Sequence, residues 1–123
     1  MTAATTGISD VAASYYLVKD LDRATEFYTR LFGAGPTMTM EGMLSEWSFP
    51  NGAAFGLYRP GDGSFRPYGG VMFSVPDVKA AADAAKAAGA TFEDEEITET
   101  PVCWMAFGED SEGNSFALHQ AKT

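Results

Sequence analysis

The chain has 123 residues, of which 46% are hydrophobic and 13% aromatic, and its formal net charge at pH 7 is −9. A chain of this length forms one domain with a real core, because it buries roughly two-thirds of the surface that it exposes when unfolded. The charge argues against nucleic acid and anionic membrane surfaces as partners, since both select basic patches. The single cysteine, Cys103, rules out an internal disulfide and fits a reducing cytoplasm.

The start of the chain lacks the features of a targeting segment. Residues 1–9 have neither the basic start nor the apolar centre of a signal peptide. No apolar run in the sequence is long enough to span a bilayer. We therefore expect residues 1–8 to form a flexible N-terminal tail and residues 9–123 to form a single cytoplasmic domain.

The first predicted elements are a strand and a helix. An apolar run over residues 11–18 predicts the strand. Asp20 is a favourable N-cap for the helix, because its carboxylate can accept hydrogen bonds from the amides of the first turn. Gly33 can adopt the left-handed conformation that closes a helix. Apolar residues between these two caps recur at helical spacing and form one stripe: Leu21, Ala24, Phe27, Tyr28 and Leu31.

The remainder of the first half predicts three short strands. Alternating residues place them at 36–40, 44–49 and 53–59. A strong turn signal, Pro-Asn-Gly at residues 50–52, separates the last two strands. Residues 60–67, PGDGSFRP, have the composition of a linker and divide the chain into halves.

The second half predicts the same order of elements. Residues 69–75 read as a strand, and Asp77 caps a helix that closes at Gly89. Four consecutive carboxylates at residues 93–96 give the next strand an acidic outer face that discourages edge-to-edge pairing. The three strands that follow the helix are predicted at residues 91–98, 102–107 and 115–120.

Residue spacings indicate that the halves are copies of one plan. Asp20 and Asp77, the two helix caps, are 57 positions apart, and so are Trp47 and Trp104. A second match has an offset of 61 and joins residues 55–58 (FGLY) to residues 116–119 (FALH).

These repeats predict an α+β fold made of two βαβββ modules paired about a pseudo-twofold axis. The first module spans residues 9–60 and the second spans residues 68–121. One helix covers only one face of a four-stranded sheet, so neither module is expected to fold alone. Pairing the modules leaves a cleft along the axis.

Two motifs carry a resemblance to a known family. The first helix begins D-L-D-R-A at residues 20–24 and continues with Phe27 and Tyr28, and D-S-E-G-N at residues 110–114 precedes the last strand. With the paired repeat, these motifs resemble the vicinal oxygen chelate superfamily. That group contains glyoxalases, extradiol dioxygenases, fosfomycin-modifying enzymes and bleomycin-resistance proteins. The resemblance covers residues 9–121 and implies the paired-module fold, commonly as a homodimer.

The resemblance also implies where a metal would be held. Metal-dependent members carry histidines about seven residues before each helix cap, and carboxylates or similar groups in the last strand of each half. Those positions are Ala13, Gly56, Gly70 and Ala117 in this chain, and none of these side chains has a donor atom. A divalent metal needs three or four oxygen, nitrogen or sulfur ligands. We therefore expect that the family metal site is lost, that no cofactor is bound, and that glyoxalase, dioxygenase and thiol-transferase activities are absent.

Strand alternation then predicts the lining of the cleft. If the four small residues face the cleft, their neighbours two positions away face it too, namely Tyr15, Leu17, Tyr58, Met72, Ser74 and His119. The intervening residues are predicted to face the helices and form the core: Tyr16, Val18, Leu57, Val71, Phe73, Val75, Phe116 and Leu118. The tryptophans Trp47 and Trp104 are assigned either to stacking on a flat ligand or to the core or a subunit interface. Tighter packing that fills the cleft is the alternative.

A few polar residues are candidates for chemistry. His119 is the only histidine and a candidate general base. Tyr58 is its symmetry mate, so the two are candidate hydrogen-bonding groups on opposite walls; an ordinary half-exposed histidine is the alternative. Glu46 is a lone candidate acid or a solvated carboxylate at a sheet edge. Cys103 has no second cysteine or histidine nearby in sequence, which favours a buried structural thiol.

The sequence as a whole predicts a metal-free protein that binds or sequesters a small apolar or aromatic molecule. Bleomycin-resistance proteins, which sequester a drug without chemistry, are the functional model, so antibiotic resistance is the expected role. The alternative is a lyase, isomerase or dioxygenase-type enzyme that uses His119 and Tyr58 without a metal, or that uses metal ligands at other positions. A third possibility is a structural or regulatory domain without a cleft.

Overall fold

The structure is a computed structural model that describes residues 6, 7, 9, 11–92 and 97–122. Most of the predicted tail, and the acidic run at residues 93–96, lie outside these ranges. In chain order the described residues form β1 (Ser14–Leu17), α1 (Leu21–Phe32), β2 (Met38–Met40), β3 (Leu44–Ser48), β4 (Ala54–Tyr58), β5 (Gly69–Ser74), α2 (Val78–Ala88), β6 (Thr98–Glu99), β7 (Cys103–Glu109) and β8 (Ser115–Ala121).

The strands form two four-stranded sheets with the same topology. Their orders are β1-β4-β3-β2 and β5-β8-β7-β6. In each sheet the strand before the helix pairs in parallel with the last strand, and the other neighbours are antiparallel. The predicted α+β fold of two similar βαβββ modules is therefore confirmed. Neither helix in the described ranges is long and apolar enough to cross a bilayer.

Both helices begin and end at the predicted caps. The Asp20 carboxylate accepts a hydrogen bond from the Arg23 amide at 3.0 Å, and Asp77 accepts one from the Ala80 amide at 3.1 Å. Gly33 and Gly89 close the helices with φ values of 74° and 113°, a region that residues with a side chain rarely adopt.

Two strands differ from the sequence prediction. β1 begins at Ser14 instead of residue 11, and Val11 is exposed. Of the strand predicted over residues 91–98, the described residues contribute an isolated bridge between Thr91 and Glu109 and the start of the two-residue strand β6. Phe92, just after the bridge, packs against the core with its ring over Gly108, where an added Cβ would lie 2.8 Å from the ring.

One core is shared by both modules. The residues predicted to face the helices are buried or half-buried there, which confirms the alternation in β1, β4, β5 and β8. Aromatic rings join the two sheets, since the centroid of Phe73 in β5 lies 5.3 Å from those of Phe32 in α1 and Phe55 in β4. The modules therefore depend on each other for burial of their apolar surface.

The turn before β8, residues 110–114, reaches from the second module into the first. Asp110 accepts hydrogen bonds from the amides of Glu112 and Asn114 and, at 2.6 Å, from the hydroxyl of Tyr28 in α1. The Asn114 side chain donates to the carbonyl of Leu17 at the end of β1. Burial and the Asp110 carboxylate together raise the pKa of Tyr28.

Glu112, in the same turn, holds the first residues of α1. Its Oε1 accepts from the amides of Lys19 and Asp20, and its Oε2 accepts from Arg23 Nε at 2.7 Å. Burial acts to raise the pKa of the Glu112 carboxyl, but the hydrogen bonds from Arg23 and the two amides outweigh it and lower the pKa. The DSEGN motif is thus the main polar connection between the modules that the structure describes.

Candidate functional site

The sheet faces that point away from the helices carry most of the predicted site residues, and we call them the open faces. Strand pairing groups their side chains in rows. On the first sheet the open face consists of Tyr15, Gly56, Glu46 and Met38 in one row and Leu17, Tyr58, Leu44 and Met40 in the next. On the second sheet it consists of Met72, Ala117 and Phe107 in one row and Ser74, His119 and Met105 in the next.

Large apolar side chains on both open faces are accessible. Met40 is 48% exposed, Met72 is 49% exposed and Phe107 is 54% exposed, and Met38 and Tyr58 are also exposed. Accessible apolar side chains grouped on one surface mark a binding site for a ligand or another protein. The second row of each open face adds one polar ring, Tyr58 on the first sheet and His119 on the second.

A tyrosine and a glutamate meet on the open face of the first sheet. The hydroxyl of Tyr15 in β1 donates a hydrogen bond to Oε1 of Glu46 in β3. The ring crosses Gly56 in β4, where an added Cβ would lie 2.4 Å from the ring. The hydrogen bond to Glu46, with burial and the negative charge of the carboxylate, raises the pKa of Tyr15 to about 12. Tyr15 is therefore a neutral hydrogen-bond donor near neutral pH.

The four positions that the resemblance implies for a metal lie in or beside the first and last strands of the two modules. Gly56 and Ala117 occupy equivalent places in β4 and β8, Ala13 immediately precedes β1, and Gly70 lies at the irregular start of β5. No three His, Cys, Asp or Glu side chains of the described residues lie close enough together to hold a metal ion. Glycine and alanine supply no ligand atom, so these positions do not fit a divalent metal.

The structure places both tryptophans on the helix side of the sheets. Trp47 is 3% exposed and donates from Nε1 to the carbonyl of Ala34 at 2.9 Å. Trp104 packs against the core, with Lys122 Nζ 4.8 Å from the centre of its ring. Trp47 pairs with Phe55 and Trp104 with Gln120, so the two indoles lie in matching strands but in different rows. Neither lies on an open face.

His119 and Tyr58 occupy equivalent positions on separate sheets. His119 lies between Ser74 and Met105, and Tyr58 lies between Leu17 and Leu44. Within the described residues no hydrogen bond or ion pair joins the imidazole to a carboxylate, so a relay that would make it a general base is not present there. What the two rings offer is hydrogen bonding to a bound molecule.

Cys103 is buried, with its Sγ 3.1 Å from the hydroxyl of Thr100. A buried thiol beside a hydroxyl lacks the positive neighbour that stabilises a reactive thiolate. This environment agrees with the structural role expected for Cys103.

A groove of about 750 Å³ separates the modules on their helix side. Its walls are mostly apolar and include Phe32, Phe49, Phe73 and Ala81, and two of the residues predicted to face the cleft, Met72 and Ser74, also line it. The sequence analysis did not assign this groove, because it placed other wall residues, such as Phe73 and Leu118, in the core.

Sequence reasoning missed part of the open faces, such as Phe107. It singled out Glu46, and also Met38 and Met40, without placing them beside the predicted lining residues, where the structure has them. The signal was available, since the alternation used for β1, β4, β5 and β8 can be extended across the hairpins to β2, β3 and β7. The extension needs the register of each hairpin, and the turns at residues 41–43 and 110–114 do not fix it from sequence alone.

Comparison with known families places the fold. The model of the Glyoxalase/Bleomycin resistance protein/Dioxygenase superfamily matches residues 7–118. The chain therefore belongs to this superfamily, as the helix motif and the paired modules indicate. A search of curated protein sequences gives no match.

Solved structures with the same fold have diverged far in sequence. Lactoylglutathione lyase from Agrobacterium tumefaciens is 19% identical, with a TM-score of 0.75 over 92% of this chain and 94% of that chain. TnmS3, an antibiotic binding protein from Streptomyces sp. CB03234, is 19% identical, with a TM-score of 0.72 over 96% of this chain and 100% of that chain. A glyoxalase/bleomycin resistance protein from Albidiferax ferrireducens T118 is 20% identical, with a TM-score of 0.72 over 89% of this chain and 97% of that chain.

Proposed function

We propose that this protein binds and sequesters a small, largely apolar or aromatic molecule on its open faces, without a resident metal and without chemical conversion. The observation that carries the proposal is the make-up of these faces. Exposed methionine and aromatic side chains surround positions at which the superfamily would need donor atoms and this chain has none. Mostly apolar walls with a few polar groups are typical of small-molecule sites.

The methionines favour a ligand of variable shape. Met38, Met40 and Met72 are exposed on the open faces. Their unbranched, polarisable side chains adapt to irregular apolar surfaces and make favourable contacts with aromatic rings. A drug-like aromatic compound suits this surface, and TnmS3, described as an antibiotic binding protein, shares the fold. Resistance to such a compound is the role that we infer.

We further propose that the site is completed in a homodimer. Within one chain both open faces are accessible, so a ligand lying on one of them would keep much of its surface in water. A second copy can place its own open face over the first and enclose the ligand from both sides. Burial of Met40, Met72 and Phe107 would stabilise this association.

The test uses N-phenyl-1-naphthylamine, a neutral aromatic probe whose fluorescence rises when it leaves water. We expect saturable binding by the full chain. Met72→Arg puts a charge on the open face of the second sheet and should weaken binding by about fivefold or more. Val102→Arg is the matched control, because Val102 is exposed in the turn before β7, away from the open faces, and should leave the affinity unchanged.

Each part of the proposal has a result that would overturn it. Absence of saturable binding, or an equal loss in the two arginine variants, would remove the open faces as the site. A thermal-shift series with Zn²⁺, Ni²⁺, Mn²⁺ and Fe²⁺ tests the metal-free part, and stabilisation by several degrees with any of them would contradict it. Sedimentation at increasing protein concentration tests the homodimer, and a monomer throughout would reject it.

A further inference from the structure

One charged group on the open faces has a geometry that the proposed function does not use. Glu46 lies mid-strand in β3, in a row with Gly56 and Met38 and surrounded by apolar side chains. A half-buried carboxylate in an apolar setting is costly unless a partner compensates its charge. Its carboxylate accepts a hydrogen bond from Tyr15, and no cation of the described residues forms an ion pair with it.

The pair is held in place by the backbone. Gly56 lies between Tyr15 and Glu46 in the sheet, and only a residue without a side chain allows the tyrosine ring to cross the strand. The phenol hydrogen bond occupies Oε1, while Oε2 has no hydrogen bond from another described residue. Because Tyr15 donates as a neutral phenol, the pair as a whole carries one negative charge.

From this geometry we propose that the Tyr15–Glu46 pair is the specificity-determining anchor for a cationic, N–H-donating group on an otherwise apolar, aromatic ligand. The inference rests on the proposed function, because it names the chemical class that the same site selects. A protonated amine or iminium group would donate to the free oxygen of Glu46, while its aromatic part lies on Met38, Met40 and Tyr58. Cations also interact favourably with the face of a tyrosine ring.

A metal ion is a poorer occupant than an organic cation. One carboxylate and one protonated phenol give fewer ligands than the three or four that a divalent ion needs. A neutral apolar ligand would leave the carboxylate uncompensated. A cation that bears an N–H group neutralises the Glu46 carboxylate and also donates a hydrogen bond to its free oxygen.

The equivalent row of the second sheet supports the assignment by contrast. Met72 takes the place of Tyr15, Ala117 that of Gly56 and Phe107 that of Glu46. The three described residues of this row are apolar, so among the described residues the charged anchor belongs to the first module. A ligand with a cationic end and an apolar end would therefore bind in a defined orientation.

The test compares two molecules of one skeleton, auramine O, with a cationic iminium, and Michler's ketone, with a neutral carbonyl at the same position. Each competes with N-phenyl-1-naphthylamine for the wild-type protein and for Glu46→Gln. The amide keeps the shape and still accepts from Tyr15, so the fold is retained. We expect the affinity for auramine O to fall by about tenfold in Glu46→Gln. The affinities for Michler's ketone and the naphthylamine should stay within about twofold of their wild-type values.

The control separates the anchor from the overall acidity of the chain. Asp83→Asn removes one charge from the exposed side of α2 and should leave all three affinities unchanged. Unchanged auramine O binding in Glu46→Gln, or an equal loss for all three molecules, would overturn the anchor and leave the proposed function intact. If the naphthylamine does not bind the wild-type protein, the proposed function fails and the anchor fails with it.

Discussion

The two modules share one plan but contribute different things to the molecule. In α1 the buried stripe includes the large rings of Phe27 and Tyr28, whereas in α2 it is mostly alanine. The turn before β8 reaches across to α1, whereas the turn before β4 closes on itself through a hydrogen bond from the Ala53 amide to Asn51. The first module therefore supplies large aromatic side chains to the shared core, and the second module supplies the hydrogen bonds that join it to α1.

The open faces of the two modules also differ in polarity. The first carries a charged, hydrogen-bonded pair, and the second carries methionine and phenylalanine in the matching row. Duplication gives symmetry to a backbone, but each side chain is free to diverge. The exposed surface of a repeated fold can therefore become polarised while the sheets beneath it remain alike.

The largest expected effect is the difference in stabilisation between the turn before β8 and the turn before β4. Asp110→Ala removes the acceptor of the Tyr28 hydroxyl and of two turn amides, which leaves buried donors without partners. We expect the free energy of unfolding to fall by about 3 kcal/mol or more. Asn51→Ala, the matched change in the first module, should cost less than about 1 kcal/mol. Urea unfolding measures both, and equal losses would show that the turns are equivalent after all.

A smaller effect is expected from the glycine beneath Tyr15. In Gly56→Ala the new methyl would meet the ring at 2.4 Å, so the ring must move and its hydrogen bond to Glu46 is lost. Overpacking of this kind should cost about 2 kcal/mol. In a Tyr15→Ala background the same change should cost less than about 0.5 kcal/mol, because contacting residues couple. A penalty that persists without the ring would place its cause in the backbone.

The smallest effect is a pH dependence in the turn that holds α1. The pKa of Glu112 is lowered in the folded state, so its stabilisation is complete above its unfolded value of about 4.3. It is lost as the pH falls through the lower, folded pKa. Glu112→Gln should therefore destabilise the protein by about 1 kcal/mol near pH 7, and the difference from wild type should shrink below about pH 4.3.

Urea unfolding between pH 3 and pH 7 gives this difference curve. Glu99→Gln is the control, since Glu99 is exposed and pairs with Lys122 at the surface. Its difference from wild type should stay within about 0.5 kcal/mol at every pH. A Glu112→Gln difference that does not change on acidification would mean that the carboxylate acts by shape alone.

The sequence analysis was most successful where local chemistry decides structure. Asp20, Gly33, Asp77 and Gly89 bound the two helices as predicted, because capping depends on the immediate backbone. Alternation also placed the core sides of β1, β4, β5 and β8. The 57-residue spacing of the tryptophans correctly indicated matching strands.

What the sequence could not supply was the register between strands and the contacts between distant residues. The sequence offset between equivalent residues of the two modules changes from 57 to 61. This change puts Trp47 and Trp104 in different rows of their sheets. The pairing of Tyr15 with Glu46 depends on three strands and on a glycine in the middle one. Among the described residues, the segment predicted as a strand at 91–98 pairs with β7 through a single bridge at Thr91 and through Thr98, the first residue of β6.

The shared core changes what the linker between the modules must do. Residues 61–64 are exposed, while the Phe32, Phe55 and Phe73 rings and the 110–114 turn already join the halves on either side of them. The covalent link through residues 61–64 raises the effective concentration of one module for the other. The contacts that join the modules are made by other residues. A chain cleaved within residues 61–64 should therefore remain folded as two associated fragments.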